Sequence, residues 1–182
     1  MKKIITLLII MFGIFSNNVS ANYTQLAYNF QFRSIDGKII NLNDFQDKVI
    51  VVVNVASRCG FTNQYDDLQK LWVSYQNKGL IIIGVPTNDF KQEPGSNTDI
   101  KDFCEANFNI SFPMSEKVNV LGDSSHPFYK WAKNNHGKAA IPKWNFHKII
   151  IGKDGKVADT FASITKPSSK RFINSIEKTI KN

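Results

Sequence analysis

The feature that most constrains the fold is an unbroken apolar run, VIVVVNV, at residues 49–55. Its length suits a β-strand. Because the run shows no polar face, we expect the strand to lie inside a sheet that is covered on both sides. A second apolar run, LIIIGVP at residues 80–86, follows after a stretch of helical spacing. Two buried strands with a helix between them predict a βαβ unit with parallel strands.

The remaining segments extend this unit into a sheet with helices on both faces. Asp36-Gly37 lies between two alternating segments and predicts an N-terminal β-hairpin, and residues 153–155 join two further strands in the same way. Helical patterns begin near Thr62, after a capping residue at Ser96 or Asn97, in HPFYKWAKNN and at the C-terminal end. The order predicts an α/β protein with a thioredoxin-like fold: a mixed central sheet flanked by helices, with an N-terminal β-hairpin.

The first 21 residues have the pattern of a secretory signal peptide. Two lysines precede the apolar run IITLLIIMFGIF, which is shorter than the roughly 20 residues that span a bilayer. The small residues of VSA suit cleavage after Ala21. We therefore predict export, to a periplasm, and a single mature domain at residues 22–182. A retained membrane anchor is the less favoured alternative, because the apolar run is short and polar residues follow it.

The charge pattern argues against a nucleic-acid or membrane-surface protein. The net charge is +8, but the lysines are scattered, and no dense basic run with interleaved aromatic residues occurs. Scattered lysines are typical of a solvated surface. We expect no nucleic-acid partner and no stable membrane insertion.

The histidines do not indicate a metal site. They show no ligand spacing with one another or with the cysteines, and we interpret them as surface or capping groups: His126, His136 and His147. No haem, flavin or nucleotide motif occurs, so we expect neither a metal nor a cofactor.

The two cysteines, Cys59 and Cys104, have two competing interpretations. In an oxidising compartment the default is a structural disulfide. Cys59, however, follows the first buried strand at the turn into a helix, where α/β folds carry their ligands and chemistry. Free amides at the helix start, and the adjacent Arg58, favour the thiolate, which is the reactive form. Thr62 occupies the position where a local dithiol pair has its second cysteine, so a lone thiol that attacks a peroxide is favoured.

Three longer motifs resemble those of the glutathione peroxidase family, in its cysteine-containing, non-selenium form. NVASRCGFT resembles the nucleophile motif of that family, VPTNDFKQEPGSN at residues 85–97 its second motif, and KWNFHKIIIGKDGKV at residues 143–157 its third. The resemblance runs from about residue 28 to the end of the chain. It implies a peroxidase that reduces hydrogen peroxide and organic hydroperoxides.

Carried over by position, the resemblance implies a catalytic group of Cys59, Gln92, Trp144 and Asn145. The two amides and the indole N–H are donors that, aimed at the sulfur, would favour the thiolate and hold the peroxide oxygens. Reaction with peroxide would convert the thiol to a sulfenic acid. A subgroup of the family has a resolving cysteine in a segment like DFCEANFNISFPM. This likeness implies that Cys104 forms a disulfide with Cys59, and that a thioredoxin-like protein, rather than glutathione, re-reduces it.

Departures from the family pattern bear on the partners. PTN at residues 86–88 replaces the usual PCN, and Asp89 stands where glutamine is usual. The segment at residues 136–143 lacks the insertion of tetrameric members, so we expect a monomer. The arginine-rich pocket of glutathione-using members has no obvious counterpart. Two alternatives stay open: a peroxide sensor or redox relay that passes its disulfide to a partner protein, and a silent domain stapled by a Cys59–Cys104 disulfide.

Overall fold

A computed structural model describes residues 23–182, so the predicted signal peptide lies outside the described residues. The first strands, β1 (Gln31–Arg33) and β2 (Ile39–Asn41), form an antiparallel hairpin. Its turn contains Gly37 with a φ of 83°, in the left-handed region that glycine adopts readily. The structure thus confirms the N-terminal hairpin. In the described part of the chain, the helices are all too short or too polar to cross a membrane.

The central sheet of the described chain has four strands in the spatial order β4, β3, β5, β6. Strands β3 (Val49–Val55) and β4 (Leu80–Pro86) are parallel, and β5 (Lys148–Ile151) and β6 (Val157–Phe161) form a hairpin that adds antiparallel to β3. All residues of β3 and β4 are buried. The apolar runs therefore belong to strands that are covered on both faces, as predicted.

The described helices are α1 (Gln64–Tyr75), α2 (Asn97–Phe108), α3 (Pro127–His136) and α4 (Lys170–Lys181). Helix α1 connects β3 to β4 and so completes the predicted βαβ unit. Ser96 caps α2: its hydroxyl accepts a hydrogen bond from the Asp99 N–H at 3.2 Å, and the Asp99 carboxylate accepts one from the Ser96 N–H at 2.8 Å. This reciprocal capping box explains why α2 begins where the sequence predicts.

The strands supply residues to two apolar clusters, because successive side chains point to opposite faces. Val51 and Val53 belong to the first cluster, whereas Ile50 and Val52 belong to the second. The first cluster includes residues of α1, α2 and α4 and contains both cysteines. Cys59 and Cys104, far apart in sequence, are therefore part of one packed region.

Candidate active site

Cys59 lies in the turn that leads from β3 into α1. The Thr62 N–H donates to the Cys59 carbonyl at 3.0 Å, and the Thr62 hydroxyl donates to the same oxygen. The helix begins at Gln64, two residues later than the sequence pattern suggested. Within the turn, the Phe61 N–H donates to the Cys59 sulfur at 3.4 Å. A backbone amide of the turn thus donates directly to the sulfur.

A buried carboxylate connects this turn to the loop after β4 through hydrogen bonds. Glu93, which is 1% exposed, accepts hydrogen bonds from the Ser57 N–H at 2.7 Å and from the Ser57 hydroxyl at 2.9 Å. Burial raises the pKa of the Glu93 carboxyl, although the Ser57 bonds and the charges of Lys117 and Arg58 oppose the rise. The Arg58 N–H also donates to the Gln92 carbonyl at 3.0 Å. The backbone on the N-terminal side of Cys59 is therefore held by the Gln92-Glu93 loop.

Two of the predicted site residues contact each other directly. The Asn145 Nδ2 donates to the Gln92 Oε1 at 2.9 Å, and the Asn145 side chain is fully buried. This bond leaves the Gln92 Nε2 available as a donor. Among residues 23–182, the Asn145 Oδ1 has no hydrogen-bond partner. The Gln92 Nε2 is therefore the donor of this pair that a hydroperoxide could bind, whereas the Asn145 Oδ1 is buried.

The loop that carries Trp144 and Asn145 is fastened to the end of β3. The Asn54 Nδ2 donates to the Trp144 carbonyl at 3.2 Å, and the Phe146 N–H donates to the Asn54 carbonyl at 2.6 Å. Phe146 has a φ of 65°, which is rare for an aromatic residue and occurs most often at functional sites. The Trp144 ring is 41% exposed and packs on Phe90 with 5.4 Å between the ring centroids.

The structure joins the Gln92 and Asn145 side chains by a hydrogen bond, and Trp144 precedes Asn145 in the same loop. The Gln92 backbone is in turn bonded to the turn that carries Cys59. Within the described range, the sulfur of Cys59 accepts its hydrogen bond from the Phe61 backbone, whereas the Gln92 and Asn145 amides bond to each other. Among residues 23–182, the side chains of Gln92, Trp144 and Asn145 make no direct hydrogen bond to the sulfur, so their predicted role as donors to it stays a prediction. The backbone of the Gln92 loop, rather than its side-chain amide, connects it to the Cys59 turn.

Cys104 lies inside α2 and is 2% exposed; both it and Cys59 are free thiols. Burial raises the pKa of the Cys104 thiol to about 11, with smaller contributions from the Glu93 and Glu105 carboxylates, while the Tyr65 hydroxyl lowers it. At neutral pH this thiol is therefore almost entirely protonated and is a poor nucleophile while α2 is folded.

Sequence reasoning did not identify Ser57 and Glu93, which hold the Cys59 turn, or Asn54, which holds the loop of Trp144. A signal was present for Asn54, because it is the polar residue within the apolar run of β3. The interpretation of His147 as a surface or capping group was wrong: it is 6% exposed, and burial together with the charge of Lys148 lowers its pKa to about 4. His126 does cap α3, where its Nδ1 accepts from the Phe128 N–H at 3.3 Å.

A buried lysine supports the start of α1. Lys148 is fully buried on β5, and its Nζ donates to the Thr165 carbonyl at 2.7 Å and to the Gln64 Oε1. The Gln64 Nε2 in turn donates to the Ser163 carbonyl at 2.7 Å. Burial lowers the pKa of Lys148 to about 7, although the charge of Asp67 opposes this. The polar contacts connect β5 and the loop after β6 to the first residue of α1.

We predict that Glu93→Ala weakens both the fold and the peroxide reaction. The substitution leaves the Ser57 N–H and hydroxyl without their acceptor, so we expect the free energy of unfolding to fall by about 2 kcal/mol. Because the Cys59 turn loses its support, we expect the rate of Cys59 oxidation to fall roughly 10- to 100-fold. Denaturant unfolding and stopped-flow oxidation measure the two effects. Glu93→Gln is the matched control, since it keeps an acceptor oxygen; equal losses in both variants would contradict a hydrogen-bonding role.

Comparison with known proteins points to one family. The family model described as Glutathione peroxidase matches residues 27–133. A glutathione peroxidase of Lactococcus lactis subsp. cremoris is 41% identical over 144 residues, which cover 77% of this chain and 91% of that protein. A hydroperoxy fatty acid reductase of Synechocystis sp. is 39% identical, covering 82% of this chain and 94% of that protein. A glutathione peroxidase-like peroxiredoxin of Saccharomyces cerevisiae is 40% identical, covering 80% and 93%.

Comparison with solved structures supports the predicted fold. The structure described as Trgpx in apo form superposes with a TM-score of 0.70 at 32% identity, covering 88% of this chain and 98% of that one. A thioredoxin-family thiol:disulfide interchange protein from Chlorobium tepidum TLS superposes with a TM-score of 0.63 at 14% identity, covering 83% and 92%. The second likeness concerns the fold alone, and it confirms the predicted thioredoxin-like arrangement.

Proposed function

Because the chain belongs to the glutathione peroxidase family and is a thiol-dependent peroxidase, we propose that Cys59 is the thiol that reacts with the hydroperoxide. The observation that carries this proposal is the position of the Cys59 turn, which is fastened to the loop of Gln92 and receives an amide hydrogen bond on its sulfur. The thiolate attacks one peroxide oxygen, the O–O bond breaks, and water or an alcohol leaves. Cys59 becomes a sulfenic acid.

Gln92, Asn145 and Trp144 are proposed to hold the peroxide beside this sulfur. The Asn145 Nδ2 holds the Gln92 Oε1, which leaves the Gln92 Nε2 to donate to the peroxide, and Trp144 is exposed in the same loop as Asn145. A donor that meets the departing oxygen stabilises the negative charge that develops there. In this role the amides act on the substrate and the transition state, while the Phe61 N–H acts on the sulfur in the resting enzyme.

Cys104 is proposed to resolve the sulfenic acid. Its attack on Cys59 forms a disulfide and releases water, and a thioredoxin-like protein then restores both thiols. The free state of both cysteines and their membership in one apolar cluster support this assignment. Relatives named peroxiredoxins support a thioredoxin-type reductant, and glutathione is the less favoured alternative.

The proposed substrates are hydrogen peroxide and organic hydroperoxides. The name of the Synechocystis relative refers to hydroperoxy fatty acids. The exposed Trp144 ring and its neighbour Phe90 form an apolar rim beside the site, which supports access by hydroperoxides with apolar chains. No cofactor is required for this chemistry, because the thiol itself carries the two electrons.

Export and a monomeric state complete the proposal. The predicted signal peptide at residues 1–21 supports a periplasmic protein, and the missing insertion at residues 136–143 supports a monomer. An oxidising periplasm does not itself supply reduced thioredoxin. The reductant must therefore be an exported thioredoxin-like donor.

The test of the proposed function is a single-turnover mass measurement on the reduced mature protein. One equivalent of hydrogen peroxide is expected to consume both thiols within seconds, with a loss of two hydrogen atoms from the intact mass. Cys104→Ser is expected instead to gain one oxygen atom, as the sulfenic acid of Cys59. Survival of both thiols, or oxidation no faster than that of free cysteine, would overturn the proposal.

A second prediction concerns α2, because a disulfide requires the two Cα atoms to approach to within about 7 Å. A cysteine held inside a folded helix rarely meets this condition, so we expect residues 96–108 to unfold locally on oxidation. Hydrogen exchange of the backbone amides, compared between the reduced and oxidised forms, measures this directly. Protection in α2 should fall after oxidation while protection in β3 stays the same; equal protection of α2 in both forms would rule the rearrangement out.

A further inference from the structure

Tyr65 is a fully buried tyrosine in the region that contains both cysteines. It is the second residue of α1, shortly after the Cys59 turn. Its ring packs on Phe146, beside the predicted site residue Asn145, with 5.2 Å between the centroids and 83° between the planes. It also packs on Phe108, one turn after Cys104 on α2, at 5.2 Å. Tyr65 therefore lies where the Cys59 turn, the loop of Asn145 and α2, the helix that contains Cys104, meet.

The hydroxyl of Tyr65 is the unusual part of this contact. Among residues 23–182, no group makes a hydrogen bond of regular geometry with this fully buried oxygen. Buried hydroxyls almost always have a partner, so an exception needs a reason. The Cys104 thiol is buried in the same cluster, on the helix against which the Tyr65 ring packs. The hydroxyl lowers the pKa of Cys104, and negative charge on Cys104 or Cys59 raises the pKa of Tyr65. The hydroxyl is thus within electrostatic reach of both sulfurs.

The surroundings of Cys104 otherwise oppose the thiolate that must attack. Burial and the carboxylates of Glu93 and Glu105 all disfavour negative charge on its sulfur. Tyr65 acts in the opposite direction, since a hydroxyl can donate a hydrogen bond to a thiolate. Burial, the largest cause, raises the pKa of Tyr65 well above its usual value, so the phenol keeps its proton and remains a donor.

We propose that Tyr65 is a positioning residue for the disulfide-forming step, in which its hydroxyl donates a hydrogen bond to the Cys104 thiolate as this attacks the sulfenic acid of Cys59. The inference rests on the proposed roles of the two cysteines. In the step, the S–S bond forms, the S–O bond of the sulfenic acid breaks, and the proton from the Cys104 thiol leaves with the hydroxide as water. Because Tyr65 belongs to α1, and its N–H donates to the Thr62 carbonyl of the Cys59 turn, its backbone position does not depend on α2 staying folded.

The test compares reduced wild-type protein with Tyr65→Phe and Tyr129→Phe after one equivalent of hydrogen peroxide. Tyr129 is the matched control, because its hydroxyl is also buried without a partner in the described part of the chain but lies in the other apolar cluster. Quenched-flow mass spectrometry follows two steps separately: the gain of one oxygen atom and the later loss of two hydrogen atoms. Tyr65→Phe deletes one oxygen that has no regular partner, so thermal unfolding should show an equally or more stable fold.

We expect Tyr65→Phe to leave the first step within about 2-fold of wild type and to slow disulfide formation about 10-fold, so that the sulfenic acid accumulates. The pH profile of the second step should move to higher pH, an effect that a merely structural role would not produce. Tyr129→Phe should match wild type. Disulfide formation at the wild-type rate and pH profile in Tyr65→Phe would overturn the inference. If wild-type protein itself forms no Cys59–Cys104 disulfide, the proposed resolving role fails, and the inference fails with it.

Discussion

Cys59→Ser is expected to abolish peroxide reduction. A serine hydroxyl in the same turn still receives the Phe61 amide, but it does not ionise at neutral pH and cannot form a sulfenic acid. We expect the second-order rate constant for hydrogen peroxide to fall by on the order of 1000-fold or more. Peroxide consumption under saturating reductant measures this loss. The substitution is nearly isosteric, so the denaturant midpoint should change little.

Cys104→Ser is the matched control, because it removes the other buried thiol and leaves the Cys59 turn intact. We expect it to reduce one equivalent of peroxide at the wild-type rate and then to stop with a thioredoxin-like reductant. Full turnover of Cys104→Ser with that reductant would contradict the resolving role of Cys104. Retained turnover in Cys59→Ser would contradict the assignment of the reactive thiol.

The same turnover measurement separates an enzyme from a peroxide sensor or redox relay. Both use the oxidation of Cys59, so a single round of reaction does not distinguish them. Sustained consumption of peroxide with a few thioredoxin-like donors would support an enzymatic role. Slow turnover, combined with trapping of one specific mixed disulfide on Cys104, would support the relay.

The stability of the fold is expected to rise between pH 7 and pH 9 because of Lys148. Burial lowers the pKa of this lysine to about 7 in the folded protein, from the ordinary value of 10.5. Between these values the unfolded chain binds more protons than the folded one, so the free energy of unfolding increases with pH. The contribution is complete above the ordinary lysine pKa and is lost as the pH falls towards 7. We expect a gain of roughly 2 kcal/mol between pH 7 and pH 9, measurable by denaturant unfolding.

Lys148→Met should remove this rise. The variant also leaves the Gln64 Oε1 and the Thr165 carbonyl without their donor, which lowers stability by an amount that does not depend on pH. We therefore expect the free energy of unfolding of this variant to have a different slope against pH, and not only a constant offset from wild type. Lys130→Met, at an exposed lysine, should keep the wild-type slope. If the free energy of unfolding changes with pH in parallel for wild type and Lys148→Met, Lys148 does not titrate between pH 7 and pH 9.

The individual strands, helix starts and turns could be predicted from the sequence because each depends on residues close to one another in the chain. The apolar run of β3 predicted a strand covered on both faces, and Ser96 with Asp99 marked the start of α2. Turn residues did the same for the hairpin at Gly37. These features depend on contacts within a few positions, so the pattern and the structure agree to within about two residues.

Contacts between distant segments could not be read in this way. His147 looked like a surface residue because nothing in its neighbourhood shows that β5 is covered on both faces. Lys148 looked like one of many solvated lysines, yet it donates to a residue 84 positions away. A charged residue is buried only when particular acceptors are brought to it, and no local pattern records where they are.

The sequence by itself determined the family, the thioredoxin-like fold and the position of Cys59 at the end of a central strand, because periodicity and motif order are local properties. Only the tertiary structure decided how that thiol is surrounded. It joined Asn145 to Gln92 across 53 residues and Glu93 to Ser57 across 36, and it buried Tyr65 in the same apolar cluster as Cys104. Hydrogen bonds and burial arise from the packing of separate segments, so the environment of the site exists only once the chain has folded.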